Sequence, residues 1–566
     1  MQGTTRTDRE LWDAGEIVGG LVPAGSVFAF LAEHRGALFD DEFIADLFPS
    51  KTGRPSLPAD LVGSVLVLKE LYGLSDPQTA EALKFDIRWK VACGRSLTQM
   101  SFDPSTLVYW RKRIAASERP DRVFDKVAEV IAETGILRGR RKRCVDSTVF
   151  DDAVATQDTV TQLVAAMRKV ARTVPGAAEV VAAVCALDYS KSGKPDIDWD
   201  DPTAKRQLVS RLVNDALAVL EALTGPDAPV REQAAADALG LLALVAGQDV
   251  APAEGSDGTD GRWVIARKVA PDRVISTVDP QARHTRKSRS QRRDGYRGHL
   301  ATEPDTGLIT DCEMTMATGE DNTDARVGVR MATRDRHHAG TNTTTDTPDT
   351  VAATTDDALA DTTTTGGVDT VAEETMAEDT DAADGLEVYG DSAYGTGEAR
   401  AAYRGAGHDV VIKPKPLPAA VPGGFTLDDF TIDEQNNAVT CPNGVTRPIS
   451  AARTVTFGRV CATCPLRDRC TTSKTGRSMT IHEHEGLLRA ARAQAKTPQF
   501  KRDYPTRSNV ERTVAQVATQ HGRRVKLRHI GTAKNNAWLH TRCAALNLRT
   551  LLKHGLTRVN GAWAIA

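Results

Sequence analysis

Three carboxylates far apart along the chain, Asp146, Asp391 and Glu511, constrain its folding more than any other feature. Asp391 ends a short apolar run, LEVYGD, which reads as a buried strand giving way to Ser-Ala-Tyr-Gly and an Ala-rich helix. Asp146 lies in a second β-rich segment, CVDSTVF, where Ser147 and Thr148 could support the carboxylate by hydrogen bonds. Glu511 falls on a predicted helix, RSNVERTVAQ. Each acid alone is ordinary, since an Asp at a strand end commonly caps the next helix and most acids are surface residues. Borne on strand, strand and helix, the three predict a magnesium site assembled by folding. Phosphoryl transfer by two metal ions needs carboxylates that hold the ions about 3.5–4 Å apart. Hard oxygen ligands suit Mg²⁺ or Mn²⁺ rather than zinc.

At 566 residues the chain is too long for one core, so two or more domains are expected. The composition, 40% hydrophobic and 26% charged, is that of a globular protein in water. No apolar run approaches the roughly 20 residues of a membrane span, and MQGTTRTDRELWDAGE has no signal-peptide character. The expectation is a cytoplasmic, nucleoid-associated bacterial protein with no membrane partner. The net charge of −3 hides an asymmetry: residues 337–390 carry 13 Asp and Glu and no Lys or Arg, leaving +10 on the rest. An acidic total therefore does not exclude nucleic acid, because binding follows the local field.

In chain order, residues 1–135 read as an all-α N-terminal domain. Residues 140–160, 260–335 and 385–416 give strand, hairpin, strand, helix and strand, and a later helix follows. That order predicts an α/β fold with an RNase H-like catalytic core, a mixed sheet flanked by helices. Residues 161–259 read as a helical insertion. Residues 337–384, rich in Thr, Asp and Ala, form an acidic low-complexity insertion predicted to be disordered, serving as a length polymorphism or as a DNA mimic. Residues 425–485 hold a cysteine cluster, and residues 490–566 form a C-terminal helical part carrying Glu511.

Basic residues recur beside aromatic ones. Arg111, Lys112 and Arg113 follow Trp110 on a predicted helix, and Arg292, Arg293 and Arg297 flank Tyr296 near His299. Arg523 and Lys526 lie in HGRRVKLRH, just after the Glu511 helix. Each group reads either as a solvated basic face or as a set of DNA phosphate contacts. Tyr504, Arg507 and Glu511 have the spacing Y-x2-R-x3-E, which sets Arg507 and Glu511 on one helix face. The pair is either a surface salt bridge or a metal ligand beside a phosphate-gripping guanidinium.

Of nine cysteines, Cys93, Cys144, Cys185, Cys312 and Cys543 are scattered and read as reduced core thiols. Cys441, Cys461, Cys464 and Cys470 are clustered, and C-x2-C at Cys461–Cys464 is a common zinc knuckle. Structural zinc is the first reading, with reduced thiols and an iron–sulfur cluster as the others. His482 and His484 are spare ligands or exposed residues.

These segments resemble DDE-type insertion-sequence transposases, in particular insertion-sequence family 1182 within the group bearing a Tyr-Arg-Glu-Lys signature. GRPSLPADLVGSVLVLKELYGLSDPQTAEAL is similar to the family's helical N-terminal domain, and CVDSTVF to its first-Asp strand. DGYRGHLATEPDTGLIT is similar to the hairpin that follows, VYGDSAYGTGEAR to the second-Asp motif, and RSNVERTVAQ with NNAWLHTRCAALNLRTLL to the Glu helix and its successor. The resemblance implies that Asp146, Asp391 and Glu511 form a triad for two Mg²⁺ (or Mn²⁺), with Tyr504 and Arg507 touching a DNA strand. It includes a similar cysteine cluster, here a small zinc-ribbon-like insertion. The implied partner is double-stranded DNA, both terminal inverted repeats and target, bound by a homodimer or larger assembly. Where the signature Lys is expected stands Ala518; Lys526 or Arg523 substitutes, or the role is absent. A catalytically inactive DNA-binding derivative and another RNase H-like nuclease are the alternative functions.

Overall fold

The N-terminal helices gather around ADLVGSVLVLKELY, which is apolar on most sides rather than along one stripe, and such a helix is stable only when surrounded. The computed structural model describes residues 1–4, 11–50, 52–225, 232–267, 270, 272–286, 292–337 and 385–566. In it, α1 (Ala59–Tyr72) is buried from Ala59 to Leu71. The charges on α1 are matched locally, Asp60 by Arg35 at 3.1 Å and Lys69 by Glu70 at 2.9 Å. Gly73 ends the helix at φ +64°, where a Cβ would also stand 2.6 Å from the Gln520 side chain. A Ser75–Gln78 capping box then starts α2 (Asp76–Phe85), followed by α3 (Ser105–Ala115) and α4 (Arg122–Thr134).

The central sheet has six strands: β1 (Lys142–Asp151), β2 (Arg283–Arg286), β3 (Arg292–Thr302), β4 (Ile309–Met316), β5 (Glu387–Gly390) and β6 (Asp409–Ile412). It is mixed. β3 runs antiparallel to β1 on one edge and to β2 and β4 on the other. β1 pairs in parallel with β5, and β5 with β6. Side chains alternate between faces along each strand. Cys144 and Tyr389 accordingly join the core beneath α7 (Ser508–Ala518) and α8 (Thr532–Lys553). Val145 and Val388 join the opposite core, under α5 (Asp324–Thr333) and α6 (Gly397–Gly405).

The first core is continuous from one end of the chain to the other. Phe28, Leu66 and Trp110 pack in the same cluster as Val510, Leu539 and Leu548. Arg542 on α8, 2% exposed, ties the parts together. Its guanidinium donates to the Glu70 carbonyl of α1, to the Gln516, Val517 and Thr519 carbonyls at the end of α7, and to Gln520 Oε1. The inserted helices Thr159–Thr173, Ala177–Val184, Pro202–Thr224 and Gln233–Gln248 instead build a core of their own. A small β-module, centred on Phe430, Val439, Phe457 and Ile481, carries the clustered cysteines. The acidic insertion of residues 337–384 lies outside the described residues except for His337. Among the described residues no helix is long and apolar enough to cross a membrane.

Charge runs in this fold are not uniformly solvated. Arg143, from the basic run before β1, is 1% exposed and pairs with Asp335 at 2.5 Å. Asp152, just past β1, is 4% exposed, and its Oδ2 has no hydrogen-bond partner among the described residues. Burial, then Asp294 and Asp279 nearby, raises its carboxyl to about 6. A carboxyl raised in the folded state destabilises the fold fully above that value, and the cost vanishes below the ordinary value of 3.8. Asp152→Asn is therefore expected to stabilise the protein by about 1–2 kcal/mol at pH 7 and by nothing near pH 3.5, measured by denaturation at both pH values.

Candidate active site

Strand register brings the first two acids together. Cys144 lies opposite Tyr389 in the parallel β1–β5 pair, so two further residues on each strand bring the chain to Asp146 and Asp391. Neighbouring strands are about 4.8 Å apart, which makes these acids adjacent. The third acid arrives on α7, whose start is pinned to the sheet at three points. Tyr504 donates to the Gly390 carbonyl at 3.2 Å, directly before Asp391. Asn509 donates to the Pro304 carbonyl at 3.1 Å, and the Cys144 thiol meets the Thr506 carbonyl at 3.9 Å. Phe500 stacks on the Tyr504 ring with centroids 4.8 Å apart, fixing its direction.

Arg507 stands among the acids. It donates to Glu511 Oε1 at 2.8 Å and approaches Asp146 Oδ2 at 4.0 Å. Its own pKa rises through Glu511 and Asp146 despite the opposing effect of burial. Burial raises the Asp146 carboxyl to about 6; the Ser147 N–H and Arg507 oppose this, while Asp391 and Glu511 push it further up. Three converging carboxylates against one guanidinium leave the site short of positive charge. Its donors are all hard carboxylate oxygens, the set that suits Mg²⁺ or Mn²⁺. Among the described residues no group of three or more His, Cys, Asp and Glu already stands in an arrangement able to hold a metal ion.

Asp146 is supported by Ser147, which is held in turn by Asp324, a residue that the sequence did not flag. The Ser147 N–H donates to Asp146 Oδ1 at 2.8 Å, while the Ser147 hydroxyl turns away and donates to Asp324 Oδ1 at 2.7 Å. Asp324, in the first turn of α5, also accepts from Arg297 at 2.7 Å and lies 3.5 Å from His299 Nδ1. Burial holds the His299 imidazole down at about 3, so it is neutral, and Tyr394 Oη lies 3.4 Å away. Close packing of α5 permits this network: a Cβ at Gly328 would stand 2.5 Å from Tyr403 Oη. An Asp at the start of a helix resembles any other helix-start acid, so only the fold marks Asp324. If Asp324 braces Ser147 and hence Asp146, Asp324→Ala should reduce DNA cleavage by about 10–100-fold and leave duplex affinity unchanged, compared in parallel assays.

The basic candidates separate by what holds them. Trp110 is buried in the main core, Arg111 forms a two-pronged pair with Asp76 at 2.8 and 2.6 Å, and Arg113 lies over the Phe48 ring at 4.3 Å; Lys112 is exposed. Of the second group, Arg293 pairs with Asp151 at 3.1 Å and Arg297 with Asp324, whereas Arg292 is exposed. Arg523 and Lys526 are exposed on the segment after α7. Ala518, where the resemblance places a Lys, is 4% exposed in the main core.

Cys441, Cys461, Cys464 and Cys470 are free thiols lining one cavity of about 20 Å³, roughly enough for one water-sized occupant. Burial raises the Cys470 thiol; Arg477 opposes this, and Cys461, Cys441 and Cys464 add to it. The donor set suits a soft ion such as zinc, although among the described residues the thiols do not form a ligating group. His482 and His484 face Glu398 and Glu483, at 3.1 and 3.2 Å.

Comparison with known proteins adds two matches. Residues 440–552 match the family model described as Transposase DDE domain, and residues 21–113 match the Transposase domain (DUF772). Both stretches are thus similar to transposase domains, and each covers less than half of the chain. The first match takes in Tyr504, Arg507, Glu511 and all four clustered cysteines; Asp146 and Asp391 lie outside both. No curated protein and no solved structure matches the chain.

Proposed function

We propose that this chain binds the terminal inverted repeats of an insertion sequence, cleaves the DNA to free a 3′-hydroxyl, and transfers that end to target DNA. The observation that carries this is Arg507 set between Asp146 and Glu511, with Asp391 and Glu511 near enough to Asp146 to raise its carboxyl. The sheet, in which β1, β3 and β4 are antiparallel neighbours while β5 and β6 run parallel to β1, supports an RNase H-like core, and the two family matches support a transposase.

Asp146, Asp391 and Glu511 would hold the divalent ions, which when bound supply positive charge at the attacking and leaving oxygens of an in-line displacement. Arg507 leaves Glu511 to grip a phosphate oxygen with its planar fork. Tyr504, anchored to Gly390, keeps that cation and Asp391 in register. A burial-raised Asp146 must lose its proton before it can ligate.

The test uses the purified chain, Mg²⁺ and duplexes carrying the DNA that flanks its gene. Cleavage leaving 3′-hydroxyl ends, followed by their joining to a second duplex, is the expected result. Cleavage without joining would indicate a nuclease, and binding without cleavage an inactive derivative. For the cysteine module we propose structural zinc; elemental analysis should find about one ion per chain, lost with the Cys461→Ser/Cys464→Ser pair. Metal-free, stably folded protein would leave the cluster as reduced thiols.

A further inference from the structure

A cleft of about 860 Å³ separates the N-terminal helices from the segment that follows α7. Its walls are unlike. On the helical side, Lys69 and Arg111 are matched to Glu70 and Asp76. Deep inside, Arg542 is engaged with backbone carbonyls. On the other side stand Arg524, Lys526 and Arg528, all exposed. Arg524 donates to the Val149 carbonyl at 2.6 Å, and Arg528 to the Gly73 carbonyl at 3.3 Å. Hydrogen bonds to carbonyls hold a guanidinium in place without cancelling its charge. Among the described residues none of these three cations stands within ion-pair distance of an acid; Asp151 near Arg524 and Asp152 near Lys526 offset part of their charge, and the cleft keeps a positive excess. His529, which also lines the cleft, is held below its ordinary pKa by burial, then by Arg111 and Lys69.

The cleft is also tied to the strand that bears Asp146. Leu527 N–H donates to the Asp151 carbonyl at 2.8 Å, and Asp151 and Lys526 form a β-bridge. From Asp146 to Asp151, five residues of strand cover about 17 Å, the length of about five base pairs of duplex. We propose that Arg524, Lys526 and Arg528 form a clamp on the phosphodiester backbone of duplex DNA, about five base pairs from the acid site. This rests on the transposase reading and gives it a track along which DNA reaches the acids. Carbonyl-anchored guanidiniums are pre-ordered, so little side-chain freedom is lost when a phosphate binds. The contacts are to backbone, so the clamp positions DNA without reading its sequence.

The test measures binding of a labelled random-sequence duplex to the full chain by fluorescence anisotropy over a range of salt concentrations. Each neutralised phosphate contributes about 0.9 to the slope of log affinity against log salt. Arg524→Ala/Lys526→Ala/Arg528→Ala is expected to lower that slope by about 2 or more and to weaken binding at least tenfold. Lys205→Ala/Arg206→Ala/Arg211→Ala, on the exposed side of the inserted Pro202–Thr224 helix, removes the same charge and should keep the wild-type slope. Lys526→Glu alone, at an exposed position, guards against misfolding and should weaken binding in the same direction. An unchanged slope in both cleft variants, with wild-type protein binding normally, overturns the clamp and leaves the transposase reading standing. Equal loss in the control triple, or a preference for duplex RNA, also overturns it. Wild-type protein that binds no duplex overturns both, whereas binding with the predicted slope change but no cleavage supports the clamp and removes only the catalytic reading.

Discussion

Asp391→Ala is expected to reduce Mg²⁺-dependent cleavage of end DNA by about a thousandfold or more, with duplex binding retained. The carboxylate lies where β5 ends, and its Oδ1 accepts the Ala393 N–H at 2.8 Å, so the chain itself fixes its aim. Removing it takes away one of the three proposed ligand groups and removes a carboxylate that raises the pKa of Asp146. The Asp146 carboxyl, now raised to about 6 partly by Asp391, should then ionise at lower pH. An Asp makes no phosphate contact, so its loss should leave the cations that would hold a duplex in place. Groups acting as a unit are non-additive, so Asp146→Ala/Asp391→Ala should be no slower than either single change. A gel assay of end cleavage reads all three variants, and a residual rate near wild type in Asp391→Ala would remove it from the site.

Arg542→Met should destabilise the main core by about 3–5 kcal/mol, the scale for breaking a buried polar network. The Glu70 and Val517 carbonyls would be left buried and those of Gln516 and Thr519 part-buried, and the last three lie at the end of the helix that carries Glu511. The same change frees the end of α1 at Glu70. Loss of stability and loss of Glu511 positioning should therefore appear together. Arg542→Lys should not rescue, because one ammonium cannot span acceptors on two helices. Denaturation of the main core, with limited proteolysis at the α7–α8 link, measures the effect; an unshifted midpoint would show that the carbonyls find other donors.

Legibility in the sequence followed the range of the interaction. Alternation and flanking turns were enough to place Asp146 and Asp391 on or beside strands, and helical spacing was enough to join Arg507 to Glu511. Each of those patterns spans only a few residues. Trp110-Arg111-Lys112-Arg113 was ambiguous because amphipathicity does not say which cation has a partner. Asp76, a long way back in the chain, holds Arg111, and Leu47 and Phe48 hold Arg113. Ser147 was expected to brace Asp146 with its side chain; it does so through its N–H, because Asp324 takes the hydroxyl.

By itself the sequence determined the kinds of element on or beside which Asp146, Asp391 and Glu511 fall, since these follow from residue type and short-range period. Only the tertiary structure decided that β1 and β5 pair in parallel, which makes Asp146 and Asp391 neighbours, and that one core joins the N-terminal helices to α7 and α8. It also decided which cations are spent inside the fold and which remain to face a ligand. Pairing register, shared burial and charge neutralisation all depend on partners far apart along the chain, and no local pattern records them.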